Sequence, residues 1–202
     1  IYDCLSANLV MELQGADILM VNNEYAYSDR GYPLPGKTYT FRAMPTRVQV
    51  LQQIGTDVVS LANNHVYDYG EDALLDTLET LENVGIPYVG AGRNLKEAEK
   101  IVYFIANGRK IAIVAATQIE RFESFTKEAE ENTPGVLKTL EPEKFVRVIR
   151  EAKKKRLGDR IPALGNGGDK RLRFRSAAVS GSFCRSGSGC HYRRAYPLPS
   201  GN

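Results

Sequence analysis

Short apolar runs alternate with amphipathic stretches along residues 1–155, and that alternation leaves few ways to fold. "ADILMV" (16–21) and "DVVSLA" (57–62) are too short for buried helices and read as buried strands. Between them, "PTRVQVLQQIG" reads as a helix opened by Pro45 and stopped by Gly55. Leu5, Leu9 and Leu13 share one helical face within 4–14. Residues 71–84 form an amphipathic helix whose acids crowd the first turn, where the helix dipole favours them, and Gly85 ends it. "IPYVGAG" reads as a short strand and turn, and 28–37 ("SDRGYPLPGK") is turn-rich. Residues 100–117 predict a hairpin, two apolar strands around Asn107-Gly108. A last helix spans 142–155, proline first and lysines last. Strands and helices in alternation imply an α/β layered fold, with helices covering a sheet.

After Lys155 the pattern changes. Residues 156–202 hold nine Lys/Arg against two Asp/Glu, so this basic Gly/Ser-rich tail carries more than the chain's whole net charge of +3. Residues 1–155 are therefore net acidic. Three readings stand for the tail: a disordered basic segment that binds nucleic acid or an anionic surface, an irregular loop segment, or a stretch not translated in its natural frame. No apolar run approaches the 18 residues of a membrane span. Cys4, Cys184 and Cys190 fit no common disulfide or zinc spacing and read as unpaired thiols. The chain opens at Ile1 with no signal-like segment, and reads as a fragment or processed chain.

Two apolar runs end in polar residues: "ADILMVNNE" and "DVVSLANNH". The C-terminal ends of parallel strands are where α/β sheets build their sites. An Asn amide oxygen and a neutral imidazole both bind divalent metals, and a His beside such a site can protonate a leaving oxygen. Taken alone, Asn64-His65 is a weak signal, since a lone His is more often a hydrogen-bonded structural residue.

The strings "ADILMVNNEYAYSDRG", "YTFRAMP", "GTDVVSLANNHVYDYGEDALLDTLETLENVGIPYVGAGRNLKEA" and "NGRKIAIVAAT" resemble, in order, the bacterial CapA family of poly-γ-glutamate capsule synthesis proteins. The resemblance covers roughly 1–155. It implies a partial metallophosphoesterase-like β sandwich flanked by helices, with a divalent metal centre (Mn, Fe, Zn or Mg) at the strand ends. It makes Asn64 a metal ligand and His65 the acid that contacts phosphate. Glu24 matches the acid of the family's Asn-Leu-Glu, although Asn23 stands in the middle position here; a plain strand-end surface acid is the competing reading. Asp68 either orients His65 or caps the following helix. Arg42 either faces an anionic substrate or sits in a surface salt bridge. Asn63 joins the substrate-facing set. The implied partners are poly-γ-glutamate or a phosphate-containing substrate and a capsule-synthesis membrane complex at the cell envelope, with no specific nucleic acid. A non-catalytic scaffold domain is the rival reading.

The family's opening Gly-Asp would lie before Ile1, and its later His-Trp-Gly and His-x-His motifs are absent. The chain has no Trp, and its other histidine, His191, sits in neither pattern. The adenine-rich codons of Lys153–Lys155 are a natural place for a base to be lost or gained. Written in permitted codons and read one base later, Arg156–Ala163 spells Asp-Leu-Val-Ile-Val-Tyr-Leu. The same register gives His-Trp-Gly across 163–166 and His-Thr-His across 195–198. The expectation is a frameshift after about residue 155, which leaves the domain incomplete and the metal site impaired. The nucleotide sequence around those lysine codons decides it.

Overall fold

Successive residues of one strand point to opposite faces of a sheet, so a strand buried on both faces needs two apolar sets. β1 (Ile18–Glu24) has them. Leu19 and Val21 belong to one buried cluster; Ile18, with Met20 beside it, belongs to another. The neighbouring strand β4 (Val58–Ser60) repeats the split, with Val59 in the first cluster and Val58 in the second. The computed structural model describes residues 5–106, 109–118, 125–154 and 174–180.

In chain order, helix α1 (Ala7–Gln14) precedes β1 and is capped by Ser6, whose hydroxyl accepts from the Leu9 amide. After β1 come β2 (Ala26–Tyr27) and β3 (Arg42–Ala43), a short parallel pair. A 3-10 turn (Pro45–Val48) leads into α2 (Gln49–Gln53), then β4, then the long helix α3 (Gly70–Asn83). The strands β5 (Tyr88–Val89) and β6 (Ala91–Gly92) and the short helix α4 (Leu95–Ala98) follow. β7 (Val102–Ala106) and β8 (Arg109–Ile113) pair antiparallel as the expected hairpin, although its Asn107-Gly108 turn lies outside the described residues. β9 (Gly135–Val136) pairs with β6, and α5 (Pro142–Lys154) follows.

The main sheet is parallel, in the order β10-β1-β4-β5, where β10 is Phe174–Ser180. One face packs on α2 and α3 through Leu51, Ile54, Leu74, Leu78 and Leu81. The other meets Val102, Phe104 and Ile113 of the β7–β8 hairpin. Helices, sheet and hairpin thus form stacked α/β layers, the class expected from the alternation. Among the described residues no helix is long and apolar enough to cross a membrane.

Within the tail, for which an irregular segment is one reading, one stretch forms a strand. Residues 174–180 run parallel to β1 over its full length, from Ile18 opposite Phe174 to Glu24 opposite Ser180. The run has no apolar period, but an unpaired strand edge offers a row of free N–H and C=O groups that any extended segment can satisfy.

The turn-rich segment after β2 is fastened to α3. Arg30 donates to Asp76 from Nε and Nη2, and Ser28 Oγ donates to the same carboxylate at 2.5 Å. The Arg30 hydrogen bond, helped by Ser28, holds the Asp76 carboxyl below the usual aspartate range although burial opposes it. A depressed folded pKa gives stability that is present above the ordinary carboxylate value and lost as pH falls through the folded one. Asp76→Asn is therefore expected to lower the urea midpoint slightly at pH 6 and to leave it unchanged near pH 2. Equal losses at both pH values would reject the ion pair as the cause.

Candidate functional site

β1 and β4 are parallel neighbours with Asn22 opposite Ser60, so both leave the sheet at the same end. There the chain turns from apolar to polar: Asn22, Asn23 and Glu24 on β1, and Asn63, Asn64 and His65 just past β4. Polar side chains at this depth need partners. Asn22 Nδ2 donates to Glu24 Oε1 at 2.9 Å, and Asn63 Nδ2 donates to Asn22 Oδ1 at 3.1 Å and to the Asn23 carbonyl at 3.0 Å. Asn63 Oδ1 in turn accepts the backbone N–H groups of His65 and Val66, each at 3.0 Å. A continuous hydrogen-bonded chain therefore runs from the Glu24 carboxylate through two amides to the His65 backbone.

The turn after Asn64 folds over Asp68, which is fully buried. Asp68 Oδ2 lies 2.8 Å from His65 Nδ1 and accepts the Phe41 amide at 2.6 Å. Oδ1 lies 2.8 Å from the Lys37 ammonium. An ionised carboxylate only accepts, so Nδ1–H is the donor toward Asp68, and in the neutral tautomer that arrangement leaves the lone pair on Nε2. The Asn64 amide nitrogen faces that Nε2 at 3.3 Å. Phe41 covers the ring with centroids 4.4 Å apart, leaving the His65 side chain 15% exposed. The Asn64 carbonyl accepts from both Thr126 Oγ1, at 2.9 Å, and Lys37 Nζ.

Glu24, Asn64, His65 and Asp68 are thus joined in one network at the strand tips. Between the two readings of Asp68, the side chain faces His65; α3 begins at Gly70 with no side-chain cap. Two expectations need correction. Asn63, expected to face substrate, is 2% exposed, and both its amide hydrogens and its oxygen are spent internally. It frames the site and offers nothing to a ligand. Arg42 stacks on the Tyr69 ring at 4.3 Å and donates to the Arg30 carbonyl at 3.4 Å. Adjacent residues alternate faces, so with Phe41 against His65, Arg42 lies over a separate hollow lined by Ser28, Asp29 and Met44. Among the described residues neither of these partners is a carboxylate, and no surface salt bridge of Arg42 is formed there.

Sequence reasoning missed Lys37, Phe41 and Thr126. Lys37 stands in "PLPGK", where composition signals only a turn, and a lysine in a turn ordinarily faces water.

The donor set bears on an implied metal. Hard divalent ions take carboxylate, carbonyl and amide oxygens, and zinc takes His and Cys as well. Among the described residues no three or more His, Cys, Asp or Glu side chains group closely enough to hold an ion. Asp68 is committed to Lys37, His65 and Phe41, which leaves Glu24 and the Asn64 oxygen. Those two do not by themselves make a metal centre.

A family model described as "Bacterial capsule synthesis protein PGA_cap" matches residues 2–169 and so runs past Lys155. The chain is 36% identical over 126 residues to the PGA biosynthesis protein CapA of Bacillus subtilis, covering 62% of this chain and 32% of that protein. It is 29% identical over 150 residues to the capsule biosynthesis protein CapA of Bacillus anthracis, covering 73% and 36%. A probable polyglutamine synthesis accessory protein of Mycobacterium tuberculosis is 31% identical over 111 residues, covering 55% and 29%. The chain thus spans about a third of the length of the curated relatives it matches.

Proposed function

The chain belongs to the bacterial capsule synthesis protein family PGA_cap, and from that premise we propose that it acts in poly-γ-glutamate capsule synthesis through a phosphoesterase-like site at the tips of β1 and β4. The observation that carries this reading is the shared network of Glu24, Asn64, His65 and Asp68. In it, His65 exchanges a proton at Nε2 with a substrate oxygen while Asp68, on the far side of the ring, steadies the positive charge that forms. Phe41 and the buried turn keep the imidazole in one orientation. Glu24 and Asn64 are the oxygen donors on hand for a divalent cation, and the reading requires further donors from beyond the described residues. Completed by such donors, a divalent ion would supply Lewis acidity toward a phosphoryl group. The reading places the protein at the cell envelope, beside a membrane complex that makes or exports the polymer.

The test is hydrolysis of p-nitrophenyl phosphate and bis(p-nitrophenyl) phosphate by the protein with added Mn²⁺. His65→Ala is expected to lose roughly 10²- to 10⁴-fold in rate, the usual contribution of a positioned acid or base. A wild-type rate no greater than that of His65→Ala would reject the hydrolytic reading. It would favour a second one, a non-catalytic binding domain of a capsule assembly or export complex. The specific observation on that side is that both His65 ring nitrogens already face internal partners.

A further inference from the structure

Lys37 reaches the site through a turn built for it. Leu34-Pro35-Gly36-Lys37 closes with the Lys37 amide donating to the Leu34 carbonyl at 3.2 Å, and Gly36 at φ 80° supplies the left-handed residue that a central Pro-Gly pair favours. The turn is docked at its first residue, where the Leu34 amide donates to the Asp68 carbonyl at 2.9 Å. From its last residue, the Lys37 side chain runs inward until 6% of it remains exposed, passing 5.8 Å from the Phe125 ring centroid. Its ammonium then meets both ends of the 64–68 turn, the Asn64 carbonyl and the Asp68 carboxylate, with His65 held between them.

We propose that Lys37 is a positioning residue, a cross-brace that closes the Asn64–Asp68 turn and thereby sets the orientation of Asn64 and His65. This deepens the proposed function and rests on it for its purpose, but not for its test. An ammonium suits the task because it is compact and has several donors on one atom, enough for a carbonyl and a carboxylate together. Thr126 holds the Asn64 carbonyl from another side, so the brace is shared at one end. At the other end, no other cation pairs with Asp68 among the described residues, His65 aside.

The experiment is amide hydrogen exchange by NMR on the full chain, comparing wild type, Lys37→Met and Lys37→Arg. A brace makes local opening of the turn the event that its loss accelerates. Exchange at the Val66 and Asp68 amides is expected to speed up at least tenfold more in Lys37→Met than exchange at Leu74 and Leu78 in α3. In the same variant the Phe41 ring-current shift of the His65 ring protons is expected to shrink. His191→Gln in every sample leaves His65 as the only histidine. Lys37→Arg, which keeps charge and donors, is expected to restore most of the protection. Uniform acceleration across α3 and the turn would make Lys37 a general counter-ion and overturn the proposal, as would unchanged exchange. Should Lys37→Met not fold, Gly36→Ala, which strains the turn without removing charge, is expected to give the same local opening; its failure to do so overturns the brace. Exchange is blind to catalysis, so an inactive but locally protected protein would sink the hydrolytic reading and leave the brace standing.

Discussion

Asp68→Ala is expected to cost about 3–5 kcal/mol of folding stability, the range for breaking a buried charge pair by removing one partner. The wild-type carboxylate is fully buried and answers three groups at once: the Lys37 ammonium, the Phe41 amide and His65 Nδ1. Alanine leaves all three facing a small void that offers no acceptor. The cost comes from three buried donors losing one shared acceptor: the ammonium keeps the Asn64 carbonyl, while the Phe41 amide and His65 Nδ1 lose the carboxylate they face. That assignment has its own check. Lys37 and Asp68 are in direct contact, so Lys37→Met is expected to cost less when added to Asp68→Ala than in the wild-type background. Urea unfolding of wild type, both single variants and the double variant closes the cycle. A loss below about 1 kcal/mol in Asp68→Ala, the range of an exposed pair, would mean that water reaches the cluster.

The layers were legible because each rests on local periodicity. Ile18, Leu19, Met20 and Val21 are apolar in succession, and only a strand covered on both faces uses all four. The helix ends were legible from Gly55 and Gly85, both of which adopt positive φ. That Asn22–Glu24 and Asn63–His65 lie together was also readable, since parallel neighbours deliver their C-terminal ends to one edge. What single residues do there was not. Asn63 and Asn64 are identical and adjacent, yet one is saturated by the framework and the other holds the imidazole. That difference is set by Asn22, 41 residues from Asn63. Lys37 was illegible for a similar reason. Its burial depends on a Pro-Gly turn docking against Asp68, a contact between loops that leaves no period in the sequence. β10 marks another limit, because strand-edge pairing answers to backbone groups that every residue carries.

Gly90→Ala is expected to couple fold and site most sharply. Gly90 follows β5 at φ 84°, and its carbonyl accepts the Leu137 amide at 2.8 Å. A Cβ built there would stand 2.6 Å from the Ala62 Cβ and 2.9 Å from the Ala115 carbonyl oxygen. Two costs follow. The left-handed backbone disfavours alanine by about 1–2 kcal/mol, and overpacking of a tight interior adds about 1–3 kcal/mol. A loss of about 3 kcal/mol is therefore expected in urea unfolding. Gly85→Ala separates the two, since Gly85 has φ 70° but nothing within 4 Å of the added carbon. That control is expected to show only the backbone cost. The steric part has a direction: Ala62 immediately precedes Asn63, whose oxygen holds the His65 and Val66 amides. Pushing Ala62 aside moves the frame of the candidate site, so Gly90→Ala is expected to shift the His65 ring signals while Gly85→Ala leaves them in place. Equal destabilisation by the two substitutions, with His65 undisturbed in both, would show that Ala62 and Ala115 yield freely and that this crossing does not hold the strand tips.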